Sequence, residues 1–115
     1  MTSQEIAGLI DHAVLHPMHT DADLQQPCAI GDRLHVATIC VKPYHVLRTS
    51  ELLSGSAVGA CAVVGFPHGS NTVMIKHAEA TLALQHGASE IDMVVNIGKV
   101  IQGDWGYVDE EIAAL

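Results

Sequence analysis

Aromatic side chains are scarce in this chain. Trp105, Tyr44, Tyr107 and Phe66 are the whole supply among 115 residues, so a core must be built from Val, Ile, Leu and Ala. Positive charge is also short. Arg33, Lys42, Arg48, Lys76 and Lys99 stand against 13 acidic residues, for a formal charge of −8. That balance excludes a general electrostatic footprint for nucleic acid or for an anionic membrane surface. Cysteine is limited to Cys28, Cys40 and Cys61, an odd number with no CxxC pair, which reads as reduced, buried thiols of a cytoplasmic protein. No apolar run approaches the length of a membrane span, and "MTSQEIAGLIDH" lacks the basic and apolar regions of a signal peptide. There is no GxxxxGK[ST], no GxSxG and no HExxH. His12, His16 and His19 have a helical spacing, but Pro17 and a strand-like context keep them off one helical face, so neither a metal nor a cofactor is expected.

What is present is alternation. The length suits one domain, taken here as residues 1–115, and nothing in it resembles a linker or a low-complexity segment. Strand-like runs "IDHAVL", "HVATICV", "VGACAVVGF" and "EIDMVVNI" are separated by helical stretches. "SQEIAGLI" predicts a short helix with Ser3 as cap. "TDADLQQPCAIGDRL" predicts one capped by Thr20 and kinked or restarted at Pro27. "KPYHVLRTSELLSG" has Pro43 near its start and Gly55 past its end. "SNTVMIKHAEATLALQHG" predicts a helix capped by Ser70 or Asn71, with Ile75, Ala78 and Leu82 forming its apolar stripe. "YVDEEIAAL" begins another helix, within which the pattern stops at Leu115. Strands alternating with helices predict parallel βα units. The fold class is therefore α/β, with about four of the eight strands that a closed (β/α)₈ barrel needs.

Strand parity then sorts the side chains, because successive residues point to opposite faces. Ile91, Met93 and Val95 share one face, and Glu90, Asp92, Val94 and Asn96 share the other. Ala37, Ile39 and Val41 lie opposite Thr38, Cys40 and Lys42. Asp11 and Ala13 lie opposite Ile10, His12 and Val14. Three strands thus pair an apolar face with a face that carries chemistry. The residues alone leave Asp92 with two readings: an edge or turn charge, or a functional carboxylate. The loop "GFPHGSNT" could hold an anion at a helix start, or be a turn that needs its Gly and Pro. Lys42 and Lys99 follow strand ends, Lys76 lies within a helix, and a solvated lysine is the default for all three.

In order, "LIDHAVLHP", "VATICVKPYHV", "AVVGFPHGSNT", "KHAEATLALQHGASEIDMVVNIG" and "GDW" resemble the N-terminal half of the deoxyribose-phosphate aldolase family, from about Ile6 onward. The resemblance implies the first half of a TIM (β/α)₈ barrel and a class I aldolase chemistry without metal. That reaction reversibly cleaves 2-deoxy-D-ribose 5-phosphate to D-glyceraldehyde 3-phosphate and acetaldehyde through a lysine Schiff base. It implies a catalytic role for Asp92 in proton transfer, and supporting places for Asp11 and Cys40 in the site. Departures are Ala13 in place of a threonine, His16 in place of a lysine, and Pro27 within a helix. The Schiff-base lysine belongs to a later "KTSTG"-like motif, and none of Lys42, Lys76 and Lys99 matches it. The implied partners are phosphorylated sugar and aldehyde substrates, with either a homo-oligomer or a second half completing the barrel. An alternative is a non-catalytic half-barrel binding module, and a further one is residual chemistry at Lys42 or Lys99.

Overall fold

Short β-branched runs bounded by Gly, Pro and polar residues form four strands, and the stretches between them form helices, in a computed structural model that describes all of residues 1–115. The order is α1 (Ser3–Ala7), β1 (Asp11–Val14), α2 (Gln25–Leu34), β2 (Thr38–Val41), α3 (Val46–Leu52), β3 (Gly59–Val64), α4 (Val73–Gln85), β4 (Ala88–Met93), α5 (Ile97–Gln102) and α6 (Trp105–Ala113). Single 3₁₀ turns, Asp21–Leu24 and Pro43–His45, lead into α2 and α3. All strands are parallel and neighbours in the sheet follow chain order, β1-β2-β3-β4. The expected βα repeat is therefore present. No helix is long and apolar enough to cross a membrane.

One sheet face is buried under the helices. Val14, Ile39, Val41 and Ala62 meet Leu24, Cys28, Val46, Leu53 and Ala83 there. β4 joins this core through both Ala88 and Ile91, which simple alternation would put on opposite faces. A register shift resolves the conflict: Ala60 pairs with Ala88 but Cys61 pairs with Glu90, leaving Ser89 as the extra residue of a bulge. Beyond the bulge, Glu90 and Asp92 share the face opposite the helices, as their parity predicts.

Several local expectations shift. Thr2, not Ser3, caps α1, exchanging hydrogen bonds with Glu5. Near Pro27 the helix starts afresh: the 3₁₀ turn ends at Leu24 and α2 begins at Gln25, which leaves Pro27 in its first turn, where its missing N–H costs no helical bond. α4 starts after Thr72 and not after Ser70 or Asn71. Its stripe of Ile75, Ala78 and Leu82 is exposed, and Lys76, Ala80 and Ala83 face the sheet instead. The small alanines let the helix sit close to the strands, and the larger apolar residues line an outer groove with Pro43, Tyr44 and His86. β4 ends at Met93, so Asn96 is no strand residue. It caps α5, its side chain accepting from Lys99 N at 3.1 Å.

The most consequential difference is Lys76, which is not solvated at all. It and Glu111 are both 0 % exposed, and Nζ lies 2.7 Å from Oε2. Nζ also donates to the Val94 carbonyl at 2.8 Å, and Glu111 Oε1 accepts from the Asn96 N–H at 2.6 Å. One buried ion pair thus ties α4, the end of β4 and α6 together. One glycine makes room for it, and a second lets the β3–α4 loop approach the chain leaving β4. Gly65 (φ +66°) lies against the Lys76 stem, where a Cβ would crowd Cε at 3.0 Å. Gly69 (φ +65°) leaves no space for a Cβ beside the Val95 carbonyl oxygen.

Removing one partner leaves a buried charge without compensation, which costs about 3–5 kcal/mol. Lys76→Met is expected to lose stability of that order in urea unfolding, and Lys76→Met/Glu111→Leu to recover much of it. A single variant as stable as the parent would contradict the pairing.

Candidate functional site

The face away from the helices gathers polar side chains from all four strands. Ala13, Cys40, Cys61 and Glu90 form one row across the sheet by register, with Asp11 and Thr38 on one side of it and Val63 and Asp92 on the other. In a flat sheet β1 and β4 would stand about 14 Å apart, three strand spacings. Yet the carboxylate oxygens of Asp11, Glu90 and Asp92 lie within 4.8 Å of one another. The sheet must therefore be strongly curved, concave on this face. The same curvature lets Cys40 Sγ on β2 donate to Asp92 Oδ2 on β4 at 3.6 Å, across β3. Thr38 Oγ1 donates to Asp11 Oδ1 at 2.7 Å, which fixes that carboxylate against its neighbour strand.

All three residues singled out from the sequence, Asp92, Asp11 and Cys40, are on this concave face. Asp11 and Asp92 are exposed and Cys40 is buried beneath them. Two further residues join them. Glu90 was visible on the Asp92 face by parity but carried no role. Cys61 gave no signal, because its proximity to Cys40 and Asp92 depends on the β2–β3 register and on sheet curvature. Asn96, which parity grouped with Asp92, is drawn away by the end of β4.

The cluster is electrostatically one-sided. No lysine or arginine nitrogen lies within ion-pair distance of Asp11, Glu90 or Asp92. Lys42 has the right parity, but its Nζ donates to the carbonyls of His16 and His19 at 2.8 and 3.0 Å and clamps the β1–α2 loop. Lys99 is paired with Asp104 at 2.8 Å, and Lys76 is buried behind the sheet. The Asp11 charge, followed by desolvation and the Asp92 charge, pushes the Glu90 carboxyl above its ordinary value. Proximity to Cys40, burial, and the Asp92 and Glu90 charges push the Cys61 thiol up strongly.

A cavity of about 470 Å³ opens beside the cluster at the carboxyl ends of the first three strands, lined by Leu15, Lys42, Val63, Phe66 and Glu79 among others. In the loop "GFPHGSNT" the Gly65 N–H is already taken by the Glu79 carboxylate at 2.8 Å, and the Gly69 N–H by the Gly65 carbonyl at 2.7 Å. These bonds favour the turn reading of that loop over the anion reading. Glu79 is the carboxylate that lines this cavity, whereas Asp11, Glu90 and Asp92 are exposed on the concave face, where carboxylates can exchange protons with a bound molecule.

Because Glu90 binds its proton more tightly in the folded chain, its ionisation opposes folding at neutral pH. The opposition disappears as pH falls through its raised pKa. Glu90→Gln is therefore expected to raise the thermal midpoint modestly at pH 7, with the gap closing in acid. A gap that widens on acidification would contradict the charge crowding.

No family model matches the chain. Curated relatives do. The chain is 43% identical over 108 residues to a deoxyribose-phosphate aldolase of Rhodopirellula baltica, covering 94% of this chain and 45% of that protein. It is 44% identical over 112 residues to one of Caldicellulosiruptor saccharolyticus, covering 97% of this chain and 51% of that protein. Among solved structures, a putative deoxyribose-phosphate aldolase of Coccidioides immitis superposes with a TM-score of 0.94 at 35% identity, over 99% of this chain and 45% of that one. An aldolase called QR15 superposes with a TM-score of 0.89 at 31% identity, over 96% of this chain and 49% of that one. The chain thus spans about half the length of the relatives it matches, as the fold of four parallel strands also requires of a half barrel.

Proposed function

We propose that this chain, homologous to the deoxyribose-phosphate aldolases over about half of their length, forms the carboxylate-bearing half of an aldolase site. The observation that carries the reading is the convergence of Asp11 and Asp92 from opposite edges of the sheet, with Cys40 held against Asp92 at 3.6 Å. The reaction is the reversible cleavage of 2-deoxy-D-ribose 5-phosphate to D-glyceraldehyde 3-phosphate and acetaldehyde through a lysine Schiff base. Asp92 is the proton-transferring group: it is exposed at the mouth of the concave face, so a substrate and a relaying water can reach it. Asp11, fixed by Thr38, supports the polar network, and Cys40 lines its floor.

The amine must come from outside these 115 residues. Lys42 is committed to backbone carbonyls, Lys76 to Glu111 and Lys99 to Asp104. An incoming ammonium group would also relieve the crowding of three carboxylates; the lysine that attacks the aldehyde does so as the neutral amine. The rest of the barrel, whether in a longer chain or in a second subunit, is the partner this reading requires. Assembly of identical chains has a parallel in the Aeropyrum pernix structure, a tetrameric deoxyribose phosphate aldolase that superposes with a TM-score of 0.80 at 25% identity. The free, buried thiols fit a reducing, cytoplasmic setting.

Borohydride trapping with acetaldehyde, followed by peptide mapping, tests the division of labour. The chain alone is expected to show no modified lysine. Mixed with the part of the Rhodopirellula baltica enzyme that it does not match, it is expected to yield label on that added part alone. Label on Lys42, Lys76 or Lys99 would overturn the reading.

A further inference from the structure

Lys42 is a cation that neither the proton transfer nor the buried core uses. Pro43 restricts it to extended backbone (φ −64°, ψ 149°), so the direction of β2 carries on through it for one more residue. Its Nζ meets three backbone carbonyls of the β1–α2 loop: His16 at 2.8 Å, His19 at 3.0 Å and Pro17 at 3.5 Å. An ammonium has three donors, and here it has three acceptors. Tyr44, two residues on, donates its hydroxyl to the same His19 carbonyl at 3.1 Å, and its ring centre lies 5.3 Å from Nζ. That ring also lies against the fully buried His45 ring, with 3.9 Å between centroids. We propose that Lys42 and Tyr44 are positioning residues of the aldolase site, which clamp the β1–α2 loop as one wall of the cavity at the strand ends. The role rests on the aldolase reading for what the cavity holds, whereas the clamp rests on geometry alone.

Packing does not hold this loop. His16, Pro17 and Met18 are exposed. The loop's own bonds are local: the His19 N–H donates to the His16 carbonyl at 3.0 Å, and the Met18 N–H to His16 Nδ1 at 3.1 Å. They shape the turn without tying it to the rest of the fold. Lys42 and Tyr44 supply the long-range ties, across 23 to 26 positions of sequence. Bonds donated by an ammonium are also stronger than neutral ones.

The clamped segment borders the site and not the core. Leu15 packs against Cys40, Cys61 and Val63 on the concave face. Leu15 and Pro17 line the cavity together with Val63, the register partner of Asp92. None of residues 15–20 belongs to the helix-side core. Loss of the clamp therefore frees a cavity wall and leaves that core intact.

Amide hydrogen exchange on the 115-residue chain tests the clamp. Lys42→Met keeps the bulk of the stem and removes the ammonium. It is expected to speed exchange at the His19 amide by about tenfold or more, the scale of a lost bond to a charged group, and to leave the β3 amides unchanged. Tyr44→Phe keeps the ring at an exposed position, removes only the hydroxyl, and is expected to give a smaller increase at the same amide. Steady-state kinetics test the role, in a chimera in which this chain replaces the matched part of the Rhodopirellula baltica enzyme. There Lys42→Met is expected to raise KM for 2-deoxyribose 5-phosphate by about tenfold with kcat nearly unchanged, because a cavity wall meets substrate and transition state alike. Ser56→Ala, ahead of β3 at the opposite end of the sheet, controls for a purely structural loss and should leave KM as it was. Unchanged exchange at His19 in Lys42→Met would overturn the clamp. Unchanged KM in an active Lys42→Met chimera would overturn the positioning role. An inactive parent chimera would instead overturn the aldolase reading, and exchange would still decide the clamp. If Lys42→Met does not fold, Tyr44→Phe decides in both measurements.

Discussion

The buried Lys76–Glu111 pair is the interaction on which the rest of the arrangement depends. Two charges removed from water hold together only if each has partners on every side. Lys76 has the Val94 carbonyl and Glu111, and Glu111 has the Asn96 N–H in addition. These bonds capture the chain where it leaves β4. They end the strand at Met93, free Asn96 to cap α5, and seat α6 against α4. The position of Asp92, one residue before that strand end, follows from the same constraint.

Curvature does the rest. Burying Val14, Ile39, Val41 and Ala62 under helices leaves the opposite face to converge, and convergence brings Asp11 and Asp92 together from the two edge strands. A flat sheet of the same sequence would keep them too far apart to sense each other. The chemistry of the face is thus a consequence of sheet geometry as much as of residue choice. It gathers negative charge and two thiols without a cation, so it suits an incoming positive group. A lysine from the remainder of an aldolase answers that electrostatic demand.

Much of this was legible in the sequence, and the failures have physical causes. Period-two parity placed Asp11, Cys40 and Asp92 on the face away from the helices, because alternation is a local property of an extended chain. The alternation of strands and helices, with Pro43 and Gly55 bracketing one of them, gave the βα order. Long-range pairing was not legible. Lys76 looked like a solvated helix residue because its partner lies 35 positions away. The Ile75, Ala78 and Leu82 stripe was misassigned because close packing on a sheet selects Ala80 and Ala83, not the bulkiest side chains. Cys61 entered the cluster through register, and Ala88 entered the core through a bulge, neither of which leaves a local pattern. Asn96 kept its strand parity on paper and lost it to a cap.

The central claim is that these residues supply a working carboxylate half to a barrel completed elsewhere. Its most direct measurement is cleavage of 2-deoxyribose 5-phosphate by a chimera in which this chain replaces the matched part of the Rhodopirellula baltica enzyme. The account predicts an active chimera whose kcat falls by about 10²–10⁴-fold on Asp92→Asn, the range for loss of a positioned proton-transfer group. A folded chimera without activity, or one indifferent to Asp92→Asn, would contradict it.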